Sequence, residues 1–365
     1  MAVQSKVNIG GVWKSVSALS VNIGGVWKAV VGAWTNIGGV WKSWFGKELS
    51  YYGTATALSS AARYLAGASV GNYALLGGGV ATVNAYNASL TRTLPSALAV
   101  ARSYLAGVSI GNYALFGGGQ LVPVGTTDAV EAYNTSLTKS TPTALSVGRR
   151  YLSASANSSY AIFVGGDVNG TPSAVVDAYN SSLTRSTPTA LATVRSFNGA
   201  ASIGGYVLVG GGDSGSPSAL VEAYDTSLTK STPTALATAR WGVAAINNNN
   251  YAIFVGGYTT VYSTAVDAYD ASLTRSSPTS ISPYPRRYMG ASYLGGYAIF
   301  VGGESASGTS SARVDAYDDS LTKTTYSISV AKDRMGCASV GNYALFGGGS
   351  ASGGTTAVVD VFQVT

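Results

Sequence analysis

From Tyr51 to the end of the chain, apolar positions alternate with small or polar ones in short runs bounded by Gly, Asn, Ser or Pro. Alternation with a period of two predicts half-buried β-strands. In the stretch from Arg102 to Lys139 and its continuation, the pattern predicts strands over 104–110, 113–116 and 129–133, and a fourth around 143–147. The pattern then repeats. A Gly pair closes the second strand at Gly78-Gly79, Gly118-Gly119, Gly165-Gly166, Gly211-Gly212, Gly256-Gly257, Gly302-Gly303 and Gly348-Gly349. A second landmark, an aromatic after a small residue and an acid or amide, falls at Tyr86, Tyr133, Tyr179, Tyr224, Tyr269, Tyr317 and Phe362. Two landmarks with one count and nearly one period give seven units.

A four-stranded unit of about 45 residues, repeated radially, is a propeller blade. The Thr-Pro-Thr connection between units suits an outer edge strand, where Pro is tolerated. The expected fold is therefore all-β: a seven-bladed propeller over residues 48–365, preceded by a small module over 1–47. The last unit ends at Thr365 with three strands, and LSYYGTATALSS at 49–60 matches the missing fourth. The two ends of the array should meet in one blade, which removes the open edges of a linear stack.

At this point the chain resembles the kelch family, through the strand-ending Gly pair, the later Tyr133-Asn134 or Tyr224-Asp225, and the Arg opening the next unit (Arg102, Arg240). It departs from that pattern where kelch units carry a Trp some seven residues after the Tyr. Here Thr93, Ser140, Ser186 and Ser231 stand there, with Leu90, Leu137, Leu183 and Leu228 nearby.

The first fifty residues carry a shorter repeat: VNIGGVWK at Val7 and Val21 and TNIGGVWK at Thr35, spaced by 14. A Gly-Gly pair between alternating apolar segments predicts a two-residue hairpin turn. Five of the six tryptophans lie here: Trp13, Trp27, Trp34, Trp41 and Trp44. One reading makes them a small core of their own, since Trp mostly buries. The sharper reading makes part of them an attachment surface for a particle or for further copies of the chain. Such hairpins resemble repeats near the ends of bacteriophage tail and baseplate proteins, which implies a virion protein with other virion proteins as partners.

Composition narrows the function. Hydrophobic residues at 46% support a buried core, while charged residues reach only 10% and Gly numbers 47. A formal charge of +6 raises nucleic acid as a partner, but the cations are scattered with no basic run, so none is expected. No stretch is expected to span the membrane, and MAVQSKVNIGG lacks the apolar run of a signal peptide. One cysteine, Cys337, and no histidine remove disulfides, thiolate clusters and the commonest general base. No metal, cofactor or catalytic residue is expected.

Four columns mark candidate positions. Arg102, Arg149, Arg195, Arg240, Arg286 and Lys332 face an acidic column of Glu131, Asp177, Glu222, Asp267, Asp315 and Asp360, with Ala62 and Asn84 in the first unit. Recurring opposite charges read as architectural ion pairs. A further basic column, Arg92, Lys139, Arg185, Lys230, Arg275 and Lys323, reads as a solvated ring. The aromatic column is Tyr64, Tyr104, Tyr151, Phe197, Gly242, Tyr288 and Arg334, with Trp241 as the fifth unit's candidate side chain. In a kelch-like propeller it would lie near the mouth of the central channel. Flat aromatic faces there could stack on sugar rings or simply pack the pore. The loops after the Gly pairs differ from unit to unit, as binding loops on a rigid scaffold do.

The expected function is a non-enzymatic virion adhesin that presents the propeller to a host-surface glycan or protein. One alternative is a decoration protein without a ligand. Another is a carbohydrate-active enzyme, because Asp128, Asp167, Asp213 and Glu304 fall on one loop face as a paired-carboxylate mechanism would need.

Overall fold

In the second unit the alternation resolves into four antiparallel strands paired in sequence order: Ala106–Ile110, Tyr113–Gly117, Val130–Asn134 and Lys139–Ser140. The computed structural model describes residues 47–121 and 123–365, and, among the first 46, the backbone of six short strands. Seven such four-stranded sheets form a seven-bladed β-propeller. Blades 1 to 7 open with the strands Ala66–Val70, Ala106–Ile110, Ser153–Ala156, Gly199–Ile203, Ala244–Asn247, Gly290–Leu294 and Gly336–Val340. Each opening strand neighbours the next around the central channel, and the seventh returns to the first. No helix of the described residues is long and apolar enough to cross a membrane.

The fourth strand of blade 7 comes from the other end of the array. Leu49–Ala55 pairs antiparallel with Val359–Val364, from Leu49 opposite Val364 to Ala55 opposite Val359. Leu49 is buried, and Tyr326 donates its hydroxyl to the Leu49 carbonyl at 2.8 Å.

The Gly pair is required by how closely the blades approach. Gly118 and Gly119 have φ of 68° and 119°, and a Cβ on Gly118 would sit 2.6 Å from the Arg149 carbonyl oxygen. That proximity lets the Gly119 amide donate to the same carbonyl at 2.9 Å. The bond recurs at each blade boundary and ends with Gly349 donating to Ala62 at 2.8 Å, so it closes the ring.

The acid and base columns form buried ion pairs. Arg149 meets Asp177 at 2.7 Å, Arg195 meets Glu222 at 2.7 Å, Arg240 meets Asp267 at 2.7 Å and Lys332 meets Asp360 at 2.8 Å, while Arg102 pairs with Glu131 and Arg286 with Asp315. Each base thus joins two blades, its carbonyl to the preceding blade's Gly and its side chain to its own blade's acid. In five of these pairs the acid's second oxygen also accepts a backbone amide of the incoming linker, such as Ser146 at 3.0 Å. In blade 1 both charges are replaced together, and Asn84 still accepts the Ser59 amide at 2.9 Å.

Three expectations change. Residues 143–147 form no strand; the fourth strand is the two-residue Lys139–Ser140. Pro142 cannot donate to a ladder, and the linker is instead held by the Tyr179 hydroxyl, which donates to the Thr143 carbonyl at 2.7 Å. The innermost strand of blade 2 starts at Ala106 rather than Tyr104, because Tyr104 has a left-handed φ of 58°. The outer basic column is anchored rather than solvated: Lys139, Lys230 and Lys323 donate to linker carbonyls at 2.6, 2.7 and 2.6 Å, and Arg185 does so at 2.8 Å.

Residues up to Glu48 form a separate unit. Its backbone gives three antiparallel hairpins: Lys6–Ile9 with Val12–Ser15, Ser20–Ile23 with Val26–Ala29, and Trp34–Ile37 with Val40–Ser43. The side chains of Trp13, Trp27, Trp34 and Trp41, and the whole of Trp44, lie outside the described residues.

Candidate functional site

The opening strand of each blade runs antiparallel to the second, so the start of one lies beside the end of the other, as Ala106 lies opposite Gly117. The aromatic column, which precedes the opening strands, and the loops that follow the Gly pairs therefore share one face. Val124 and Val261, in two of these loops, are exposed apolar side chains.

On this face the aromatic column forms a closed collar. Tyr64, Tyr104, Tyr151, Phe197, Tyr288 and Arg334 all have left-handed φ between 54° and 59°, a conformation that costs a non-glycine residue of order 1–3 kcal/mol. Gly242, at φ 65°, occupies the fifth place without that cost. The backbone repays the distortion with a cyclic set of hydrogen bonds. The amide of Tyr104 donates to Tyr64, Tyr151 to Tyr104, Phe197 to Tyr151, Gly242 to Phe197, Tyr288 to Gly242, Arg334 to Tyr288 and Tyr64 to Arg334, over 2.9 to 3.3 Å.

The side chains also close on one another. Ring centroids are 3.9 Å apart for Tyr64 and Tyr104, 4.3 Å for Tyr104 and Tyr151, 4.1 Å for Tyr151 and Phe197, and 5.9 Å for Phe197 and Tyr288. The Arg334 guanidinium completes the circuit, 4.5 Å from the Tyr288 ring and 5.7 Å from Tyr64. Together they line a cavity of about 350 Å³, with Leu65, Leu105, Leu152, Val243, Met289 and Met335 beneath. Burial, then hydrogen bonding with Tyr64, holds the Tyr104 phenol well above its ordinary value, and burial pushes Tyr288 up to about 12. The collar hydroxyls of Tyr104 and Tyr288 are therefore neutral at physiological pH.

Trp241 does not line this cavity; Gly242 does. Trp241 stands behind the collar, 5.4 Å from both Phe197 and Tyr258, within a cluster that sequence reasoning missed. There the Arg287 guanidinium lies 4.8 to 5.2 Å from the rings of Trp241, Tyr258, Tyr262 and Tyr288. Glu304 accepts from Arg287 at 2.7 Å, from Arg334 at 2.5 Å and from the Tyr262 hydroxyl at 2.5 Å. Burial pushes the Glu304 carboxyl up, but these three donors outweigh it and hold its pKa below the usual value. Trp241, Tyr288, Glu304 and Arg334 are candidates on other grounds, whereas Arg287, Tyr258 and Tyr262 fall in no repeating column, so no period points to the cluster as a whole.

Below the collar the channel is lined by small residues, among them Gly67, Gly107, Ala154, Ala200, Ala245 and Ala291. Of the four loop carboxylates, Glu304 is held as described and Asp167 pairs with Arg150 at 3.0 Å.

No family model matches the chain. No curated protein sequence matches it. Among solved structures it is similar to one titled "Structure of YjhT", with a TM-score of 0.60 over 74% of this chain and 99% of that one. The identity is 13%, so the likeness extends to the fold alone.

Proposed function

We propose that the chain is a non-enzymatic binding protein whose collar face grips a host-surface carbohydrate, and that it is carried on a phage or prophage particle. The observation that carries this reading is the collar itself: five aromatic rings and one guanidinium converge on a cavity at the centre of the face that bears the variable loops. Aromatic faces backed by neutral hydroxyls suit a sugar, which offers C–H groups on one side and hydroxyls on its rim.

The charge arrangement favours binding over catalysis. A glycosidase needs one carboxyl raised to act as a general acid. Glu304, the loop carboxylate bonded to the collar's Arg334, is shifted the opposite way by its three donors. Nucleic acid is disfavoured as a partner because many of the cations are internally engaged. Six form the buried ion pairs, and Lys139, Arg185, Lys230 and Lys323 of the outer column are bonded to linker carbonyls, which reduces the basic surface that the propeller offers to phosphates.

The virion assignment rests on the likeness of the three hairpins to phage tail repeats, with residues 1–47 as the attachment module. Removing residues 1–45 while keeping the closing strand should abolish particle incorporation or self-association and leave a ligand-competent propeller. Normal assembly of the truncated chain would sink the attachment role. Particle association without glycan binding by the full chain would favour a decoration protein instead.

A further inference from the structure

At the end of the channel opposite the collar, each blade's first two strands meet in a tight turn. The residue entering that turn is a buried aliphatic in five blades: Val70, Ile110, Ile203, Leu294 and Val340. In blades 3 and 5 it is Asn157 and Asn248, also buried. Each caps its own turn. The Asn157 Oδ1 accepts the amides of Ser159 and Tyr160, both at 2.9 Å, and the Asn248 Oδ1 accepts those of Asn250 and Tyr251 at 3.0 and 2.7 Å.

The two amide nitrogens differ. Asn248 Nδ2 donates to the Asp318 carbonyl at 2.7 Å, whereas Asn157 Nδ2 is buried with no hydrogen-bond partner. An unmet buried donor is costly, and its placement marks a position where a partner is wanted. Asn157 lines a cleft of about 470 Å³ over the Gly204-Gly205 turn of blade 4, between the turns of blades 3 and 5. None of the lining residues is charged. The opposite wall is already ordered: Asn249 donates to Asp319 at 2.8 Å and accepts the Tyr293 hydroxyl at 2.8 Å. Tyr206 and Tyr293 add two rings to the lining.

We propose that this cleft is a second binding site, for a neutral sugar, with Asn157 Nδ2 donating to one of its hydroxyls and Tyr293 packing against the ring. The absence of lining charge disfavours anions and cations, while amides and phenols are the donors and acceptors that a polyol matches. The site is independent of the collar and stands whether or not the collar binds a glycan.

The test uses the full chain, titrated with the methyl glycosides of glucose, galactose, mannose and N-acetylglucosamine and followed by backbone amide shifts. At least one glycoside should move the amides of 156–159, 202–206 and 247–249. The triple change Asn157→Ile, Ser158→Gly, Ser159→Asn gives blade 3 the turn sequence of blade 2, Ile110-Gly111-Asn112, and so keeps a fold-compatible turn while removing the donor. It should weaken that binding about tenfold, the factor expected for one lost hydrogen bond, at an unchanged melting temperature. Tyr293→Ala should weaken it as well. Shifts confined to the collar, no shift in the cleft with any of the four probes, or equal affinity in the turn variant would each overturn the assignment.

Discussion

The amide of Tyr64 donates to the carbonyl of Arg334 at 2.9 Å and so joins the first collar position to the last. Without it the six other collar bonds would form an open string, and the left-handed backbone at each position would lack a closed circuit to hold it. The same two side chains meet, with the guanidinium 5.7 Å from the ring. Ring closure thus occurs at three levels: this bond, the Gly349 to Ala62 bond, and the pairing of Leu49–Ala55 with Val359–Val364.

The strand closure predicts a large effect from a single side chain. Leu49 is buried in blade 7 although it lies more than 300 residues from its strand partner Val364. Leu49→Ala should cost about 2–5 kcal/mol in chemical denaturation, as other buried leucine truncations do. A loss of under half a kcal/mol would show that the strand is not needed to hold the last blade.

The buried pairs contain their own control in blade 1, where Ala62 and Asn84 replace both charges. Arg149→Ala alone leaves Asp177 buried without its partner and should cost about 3–5 kcal/mol. The double change Arg149→Ala with Asp177→Asn copies blade 1 and should recover a large part of that loss. A double-mutant cycle by urea denaturation measures this directly; strictly additive losses would contradict the account.

Much of this was legible in the sequence for a physical reason. The Gly pair, the tyrosine and the ion-pair columns recur because each blade must solve the same close approach to its neighbour, so their period announces seven blades. The position of the fourth strand was less legible. Residues 143–147 alternate like a strand, but their backbone groups bond to side chains of other units, as the Thr143 carbonyl does to Tyr179. The cluster around Arg287 and the cleft beside Asn157 were invisible because each arises from departures in single blades, and a reading built on what repeats averages such departures away.

Collar strain gives a second mutational signature. At φ 58°, Tyr104→Gly removes a left-handed penalty that Tyr104→Ala retains, so the glycine variant should be the more stable of the two by about 1 kcal/mol. Thermal unfolding of the pair checks this. The reverse order would mean that Tyr104 is not held in that conformation in solution.

Glu304 predicts a pH dependence. Its folded pKa lies below the ordinary value of 4.5, so its ion pairs contribute stability above that value, and the contribution is lost as pH falls through the folded value. Glu304→Gln should therefore lower the melting temperature more at pH 7 than at pH 3. Equal losses at both pH values would show that the carboxylate charge is not what holds Arg287 and Arg334.

The most direct test of the central claim is calorimetric titration of wild type and the Tyr104→Ala, Tyr151→Ala, Tyr288→Ala variant with a glycan selected by array screening, alongside a check for turnover. The account predicts that wild type binds without cleaving the glycan and that the variant remains a folded propeller with binding lost, since each ring can offer stacking worth about 0.5–1.5 kcal/mol. Undiminished binding by the folded variant, or release of a cleaved sugar by wild type, would contradict it.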